Sequence, residues 1–162
     1  MTADELRARL IRNWHEVPFE TLARPPRYAS QSGSLSTGTA AQQLSANVDV
    51  VPPGKQSCPY HFHHAQEELF VILAGEGTLR VAGERLALKA GDLVFIPAGP
   101  EYPHHLINTG AVDLHYLSIG TTQHPEVCEY PDSGKVAAFP GPGGQRLIQR
   151  PEDNLDYWAG EP

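Results

Sequence analysis

Short apolar runs alternate with turn residues between about residues 42 and 119. This pattern predicts eight strands, over residues 43–51, 59–64, 67–74, 77–82, 85–88, 93–97, 104–109 and 112–119. Glycine- and proline-containing turns separate them, and no internal helical pattern is long enough to connect parallel strands. Short strands at this spacing are typical of an antiparallel sandwich or barrel, so the predicted fold class is all-β.

The segments on either side of the strands differ from them in composition and in hydrophobic pattern. Residues 2–13 predict a short helix because Thr2 and Glu5 have the spacing of a capping box, and a frayed terminus is the alternative. Residues 24–41 are rich in Pro, Ser, Gly and Thr and predict an extended arm that could carry one edge strand. The chain therefore divides into an N-terminal helix and arm (1–41), a barrel (42–120) and a C-terminal extension (121–162).

Two apolar surfaces in this pattern need a partner. Residues 70–73 are apolar on both faces of their strand, although only one face of a sandwich strand meets the core. The extension also carries apolar side chains between Arg146 and Trp158, which predicts that it packs on the barrel or on a neighbouring subunit. The N-terminal arm, the extension or a second subunit could cover the strand, and we expect a homodimer.

Composition and charge exclude several classes of function. The 162 residues carry a net charge of −7, and the 12 Lys and Arg residues are scattered, which disfavours nucleic acid and anionic membranes as partners. No apolar run is long enough to span a bilayer, and no apolar core of a signal peptide is present. Two cysteines are too few for a disulfide scaffold, so we expect a cytoplasmic protein.

Histidines are the unusual feature, with eight in the chain and five of them in two short clusters. In the first cluster, His61 and His63 point to the same face of a strand because side chains alternate, and Glu68 opens the next strand. Two imidazoles and a carboxylate form half of a binding shell for a divalent first-row metal. The second cluster, residues 97–105, could add one more histidine. The alternative is that these are ordinary polar strand residues.

Both clusters resemble the two motifs of the cupin superfamily. The first motif is matched by Gly54, His61, His63, Glu68 and Gly75, with six spacers instead of five between Gly54 and His61. The second motif is matched by Gly91, Pro97, Gly99, His104 and Asn108, with four spacers instead of two between Gly99 and His104. The resemblance covers about residues 43–119.

This resemblance implies a double-stranded β-helix, a jelly-roll barrel, with an inward-facing metal quartet of His61, His63, Glu68 and His104. The quartet would hold a divalent transition metal (Fe, Mn, Ni, Zn, Co or Cu) and leave coordination positions open for a small-molecule ligand. The two extra residues before His104 should form a loop at the barrel mouth, and there Glu101 and Tyr102 are the candidate catalytic pair. The alternative for this pair is a solvated loop with a packed tyrosine.

Four further residues have two possible interpretations. His64 and His105 are out of register with the ligand histidines, so we expect them at the surface, with donors behind the metal ligands as the alternative. Cys58 is expected to be a free thiol and not a metal ligand, and Cys128 to lie in an ordered turn beyond the barrel.

The predicted function is that of a metal-binding protein acting on a small carboxylate, diol or sugar-like molecule. Dioxygenase-like chemistry and isomerase- or decarboxylase-like chemistry both suit such a site. The alternative is a module that binds a sugar or metabolite without turnover, because the fold alone does not determine function.

Overall fold

The computed structural model describes residues 1–162 and contains one α-helix and thirteen β-strands. All eight predicted strands are present, with ends shifted by a few residues. The elements are α1 (Ala3–Leu10), β1 (Glu20–Arg24), β2 (Tyr28–Ser34), β3 (Leu44–Val51), β4 (Phe62–His63), β5 (Glu68–Ala74), β6 (Glu76–Val81), β7 (Glu84–Lys89), β8 (Leu93–Ile96), β9 (His104–Ile107), β10 (Leu114–Thr121), β11 (Glu126–Tyr130), β12 (Lys135–Phe139) and β13 (Leu147–Gln149), followed by a 3-10 turn at Pro151–Asp153.

The N-terminal helix begins at the predicted capping box. Thr2 Oγ1 accepts the Glu5 amide at 3.2 Å, and the Glu5 carboxylate accepts the Thr2 amide at 2.7 Å. The helix ends at Leu10, earlier than predicted, and buries none of its residues. With eight residues it is far too short to cross a membrane.

The strands form two packed layers of jelly-roll type. One layer is a six-stranded sheet in the order β1-β2-β3-β10-β5-β8. The other contains β7-β6-β9 and β13-β12-β11-β4, and these two parts meet where His61 pairs with His104. Neighbouring strands are antiparallel, and many are distant in sequence. The all-β class and the jelly-roll architecture are confirmed.

Both sheets extend beyond residues 42–120. β2 pairs with β3, and β11 pairs with β4, so the arm and the extension each add strands to the barrel. The N-terminal segment holds a hairpin of two strands, β1 and β2, where one edge strand was considered. β2 has the sequence YASQSGS, which lacks the apolar alternation that identifies a strand.

The hydrophobic core lies between the layers. It consists of Val51, Phe70, Ile72, Leu79, Leu88, Ile96, Leu106, Leu114 and Tyr116. On the opposite face of β5, Leu69 and Val71 lie beside Phe95 and Leu93 of β8, which are 71% and 54% exposed. The extension leaves this outer face open, since Tyr157 and Trp158 are themselves exposed. The chain thus does not cover its own apolar sheet face.

One motif glycine is required by close packing. Gly75 connects β5 to β6 with φ of 82°, a left-handed conformation that side chains disfavour. A Cβ atom here would also lie 2.5 Å from the Asp113 carbonyl oxygen. Any other residue would force apart the turn that carries the end of β5, the strand on which Glu68 lies.

Candidate metal centre and its cavity

His61 and His104 are brought together by direct backbone pairing. The His61 amide donates to the His104 carbonyl at 3.1 Å, and the His104 amide donates to the His61 carbonyl at 2.7 Å. Residues paired in this way place their side chains on the same face of a sheet. The two ring centroids are accordingly 4.9 Å apart.

Backbone carbonyls orient both imidazoles. His61 Nδ1 lies 2.9 Å from the Pro59 carbonyl oxygen, and His104 Nδ1 lies 3.1 Å from that of Tyr102. A carbonyl oxygen can only accept, so each Nδ1 carries the proton and each Nε2 keeps its lone pair. Both rings therefore present the nitrogen that a metal ion binds.

Glu68 joins this pair from β5. Its Oε2 atom lies 2.8 Å from His104 Nε2 and 3.5 Å from His63 Nε2. The shorter contact lacks hydrogen-bond geometry, so Glu68 Oε2 and His104 Nε2 are both buried without a hydrogen-bond partner. Buried polar atoms without partners are rare and costly, and a cation between them removes that cost. The donor set of three imidazoles and a carboxylate fits a divalent transition metal.

His63 completes the quartet and is backed by a second carboxylate. Its Nδ1 atom lies 3.5 Å from Oε1 of Glu126, which is only 2% exposed. Glu126 is held in place because it accepts the backbone amides of His64 and Ala65 at 2.9 and 3.0 Å. A carboxylate behind a ligand histidine orients the ring and strengthens its basicity. Sequence reasoning missed Glu126, which lies 58 residues beyond Glu68 in a separate strand.

The protonation states suit metal binding. Burial lowers the pKa of His61 to about 4, which leaves the ring neutral at neutral pH. Burial raises the pKa of Glu68, but its close contacts with the imidazoles of His104, His63 and His61 more than offset this, and the pKa ends below its ordinary value. The carboxylate is therefore ionised beside a neutral imidazole, which is the state that coordinates a cation.

The last residue of the second motif has a supporting role. Asn108 is fully buried and donates to the carbonyls of Val51 and Val112 at 2.6 and 2.8 Å. Its side-chain oxygen accepts the Gly110 amide at 2.9 Å. Asn108 thus ties β9 to the end of β3 and stabilises the strand that positions His104.

A cavity of about 530 Å³ opens onto the candidate metal centre. His61, Glu68 and His104 line it, and β1 lies along one side. The remaining wall combines apolar side chains, such as Phe70 and Leu106, with buried polar groups. Ser118 Oγ donates to Asp49 at 2.6 Å, and the Tyr116 hydroxyl donates to Ser57 Oγ at 2.8 Å. Burial raises the pKa of Asp49, and hydrogen bonds from Ser118 and Ser32 only partly offset it. Sequence reasoning did not single out Asp49.

Glu101 and Tyr102 lie away from this cavity. Both side chains are exposed, and neither is among the residues that line the cavity. Tyr102 contributes through its backbone carbonyl, which holds His104 Nδ1. A catalytic role for these two side chains stays a prediction, and their placement does not favour it.

The histidines outside the quartet have contrasting positions. His64 is 43% exposed at its side chain and lies 2.7 Å from Glu129, as expected for a surface position. His105, expected at the surface, is instead 3% exposed and packs edge-on against Tyr60. The expectation failed because every residue of β9 is buried, on both of its faces.

The two cysteines are free. Cys58 is half-buried, and its Sγ atom lies 4.0 Å from His61 Nδ1, in agreement with a free thiol beside the site. Cys128 was expected in a turn but lies within β11, where it is 2% exposed. The turn that the sequence indicated follows at Asp132–Gly134, after the strand ends.

Known proteins are similar to part of this chain. An oxalate-binding protein of Thermotoga maritima is 38% identical over 69 residues, which are 43% of this chain and 54% of that protein. The chain spans about half the length of the curated relatives it matches, 56% and 54% of the first two.

Solved structures superpose over more of the chain. A proposed sugar phosphate isomerase of Acidithiobacillus ferrooxidans has a TM-score of 0.77 and 25% identity, and the match covers 96% of this chain and 94% of the other. A predicted oxalate decarboxylase of Thermotoga maritima has a TM-score of 0.62 and 25% identity, over 70% of this chain and all of the other. Residues 47–120 also match the family described as "Cupin domain". With both motifs placed around one centre in a jelly-roll barrel, residues 47–120 are a small cupin domain.

Proposed function

We propose that His61, His63, Glu68 and His104 hold one divalent first-row transition metal and that the adjoining cavity binds a small oxygenated substrate. The observation that carries this proposal is the 2.8 Å approach of Glu68 Oε2 to His104 Nε2, both buried and neither hydrogen-bonded. Two electron-rich atoms at this distance are stabilised by a shared cation. Iron, manganese, nickel, zinc, cobalt and copper all accept such a donor set.

The chain's own residues hold the ligands in a binding-ready arrangement. The carbonyls of Pro59 and Tyr102 fix two of the imidazoles, and Glu126 lies behind His63. Little side-chain ordering is then left to oppose metal binding. A bound divalent ion supplies a Lewis acid that polarises a substrate oxygen.

The cavity wall favours a hydroxylated substrate of several carbons. Six hydroxyl groups line it, from Thr21, Ser30, Ser32, Ser57, Tyr116 and Ser118. Arg24 is the only Lys or Arg among the lining residues, so the wall offers one permanent cation for an anionic group. A dianion as small as oxalate would coordinate the metal and would make no hydrogen bonds to the hydroxyl groups of this wall. A sugar-like chain with at most one anionic end matches the whole cavity.

Asp49 favours isomerase-type proton transfer over oxidation. It is a buried carboxylate in the substrate cavity, and burial raises its pKa towards the range in which a side chain can accept and return a proton. Moving a proton between neighbouring carbons of a hydroxy-carbonyl compound requires such a group. The similarity to the Acidithiobacillus ferrooxidans protein points in the same direction.

The test follows proton exchange, which is detected whatever the product is. Protein loaded with each candidate metal would be incubated in D₂O with aldoses, ketoses, their phosphate esters and α-hydroxy acids, and followed by proton NMR. We expect deuterium to replace hydrogen at a carbon next to the carbonyl of one substrate, with no uptake of dioxygen. D49N should abolish the exchange, while D113N, a change of an exposed aspartate, should retain it.

Two outcomes would contradict the proposed function. Substrate-dependent uptake of dioxygen would replace isomerase-type with dioxygenase-type chemistry. Failure of every metal to bind at one equivalent would remove the metal centre itself.

A binding module without turnover is the second candidate. It is favoured by the 38% identity to an oxalate-binding protein over 69 residues. Calorimetric titration of the metal-loaded protein with oxalate separates the enzyme from the binding module. Tight oxalate binding that D49N does not change, together with no deuterium exchange on any substrate, would favour the binding module.

A further inference from the structure

Cys128 lies directly beside a metal ligand, although neither motif includes it. In the antiparallel pair of β11 and β4, Cys128 is the register partner of His63. Directly opposed residues point to the same face of a sheet, so the thiol and the imidazole share the inner face. Cys128 is 2% exposed and forms no disulfide.

Two ligand sets consequently overlap at the centre. The ligand atoms of His61, Glu68 and His104 all lie within 4.8 Å of one another. Those of His61, His63 and Cys128 meet the same limit. His61 belongs to both sets, and the sets differ in chemistry because one adds a carboxylate oxygen and the other a sulfur.

We propose that Cys128 is an alternative metal ligand that lets the centre bind ions of two kinds in two ways. An ion that prefers oxygen, such as Mn²⁺, is held by the quartet with the Glu68 carboxylate as its oxygen ligand. A thiophilic ion, such as Zn²⁺, Co²⁺ or Cd²⁺, is instead held by Cys128, His63 and His61. The proposal rests on the proposed metal site and adds to it a dependence of the ligand set on the metal.

Ligand softness is the physical reason for the division. Thiolate sulfur binds zinc and other soft or borderline ions preferentially, while carboxylate oxygen suits manganese. Coordination by Cys128 replaces its S–H bond with a sulfur–metal bond, and the proton is released to solvent. Since both sets use His61, the two kinds of ion compete for one centre.

Cobalt absorption tests the proposal directly. Co²⁺ bound to a thiolate has a sulfur-to-metal charge-transfer band in the near ultraviolet, which nitrogen and oxygen ligands do not produce. The decisive variant is C58S, which leaves Cys128 as the only thiol of a chain with two cysteines. We expect the band at one equivalent of Co²⁺ in the wild type and in C58S, and its loss in C128S.

Affinities give a second readout. C128S should lower the affinity for Zn²⁺ by more than about tenfold and leave that for Mn²⁺, followed by electron paramagnetic resonance, within about threefold. Zn²⁺ should displace Mn²⁺ from the wild type. C58S protein that binds Co²⁺ without the band would overturn the proposal, whether or not C128S folds. If no metal binds to the wild type, the proposed function fails and not only the role of Cys128.

Discussion

Replacing Glu126 should cost both fold stability and metal affinity. Glu126 is 2% exposed, and its two carboxylate oxygens accept two backbone amides, those of His64 and Ala65. Glu126→Ala leaves the Ala65 amide without its acceptor and removes the carboxylate that lies 3.5 Å from His63 Nδ1. The His64 amide keeps a second acceptor, the Val127 carbonyl, at 2.9 Å. Unpaired buried donors are among the few causes of large losses of stability.

The expected magnitude follows mainly from the hydrogen bond of the Ala65 amide, because the His64 amide keeps the Val127 carbonyl. A hydrogen bond to a charged group contributes about 1.5–3 kcal/mol, so E126A should lower the free energy of unfolding by about 1.5–3 kcal/mol. Glu126→Gln keeps one acceptor oxygen for the Ala65 amide and should lose about 1 kcal/mol, because a neutral acceptor forms a weaker hydrogen bond. A typical domain has about 5–15 kcal/mol in total, so E126A removes a substantial part of it.

Urea unfolding of the metal-free protein measures these losses. The matched control is E129Q on the same strand, because Glu129 is 41% exposed and its pairing with His64 should contribute at most about 1 kcal/mol. Calorimetric Mn²⁺ titration of E126Q should show about 10–100-fold weaker binding, as expected when a carboxylate behind a ligand histidine is lost. Equal unfolding free energies for E126A and E129Q would refute the reasoning.

Three further predictions concern a ligand, a buried histidine and the open sheet face. H104A should weaken Mn²⁺ binding by more than about tenfold. Y102F should leave the affinity unchanged, because Tyr102 contacts His104 through its backbone carbonyl. Equal losses of Mn²⁺ affinity for the two variants in a calorimetric titration would contradict this. Burial, and to a lesser extent the Arg80 charge, lower the pKa of His105 from 6.5 to about 4, so the unfolded chain binds more protons than the folded one between these values. The unfolding free energy of the metal-free protein should therefore fall as pH falls from 6.5 to about 4, and that of H105Q should fall less. Equal pH dependence of the wild type and H105Q in urea unfolding would show that His105 does not contribute. The apolar outer face of β5 and β8 should pair with a second copy of the chain, giving a dimer by light scattering and a monomer for F95D, and a monomeric wild type at micromolar concentration would exclude this.

The local patterns were sufficient for the barrel strands and for the helix start. Strand alternation and turn residues located all eight strands of residues 42–120, because each depends on neighbours in sequence. The capping box at Thr2 is likewise a local interaction between residues three apart. In contrast, β2 has no apolar alternation and is a strand only because β3 offers it an open edge.

Motif spacing indicated the ligand quartet, but not what surrounds it. The separations between His61, His63, Glu68 and His104 are a property of the chain, and the structure brings the four together. Asp49 and Glu126, which sequence reasoning missed, and Cys128, which it expected in a turn, come from β3 and β11, outside both clusters. Strand order alone brings them to the same cavity and centre.

The amino-acid sequence by itself determined the all-β class, the strand positions and the candidate ligands, since these follow from side-chain alternation and fixed spacing. Only the tertiary structure decided that His105 is buried, that Glu101 and Tyr102 face solvent, and that Cys128 lies beside His63. The reason is that burial and register depend on which strands become neighbours. That choice is made by packing the whole sandwich, and no short stretch of the chain encodes it.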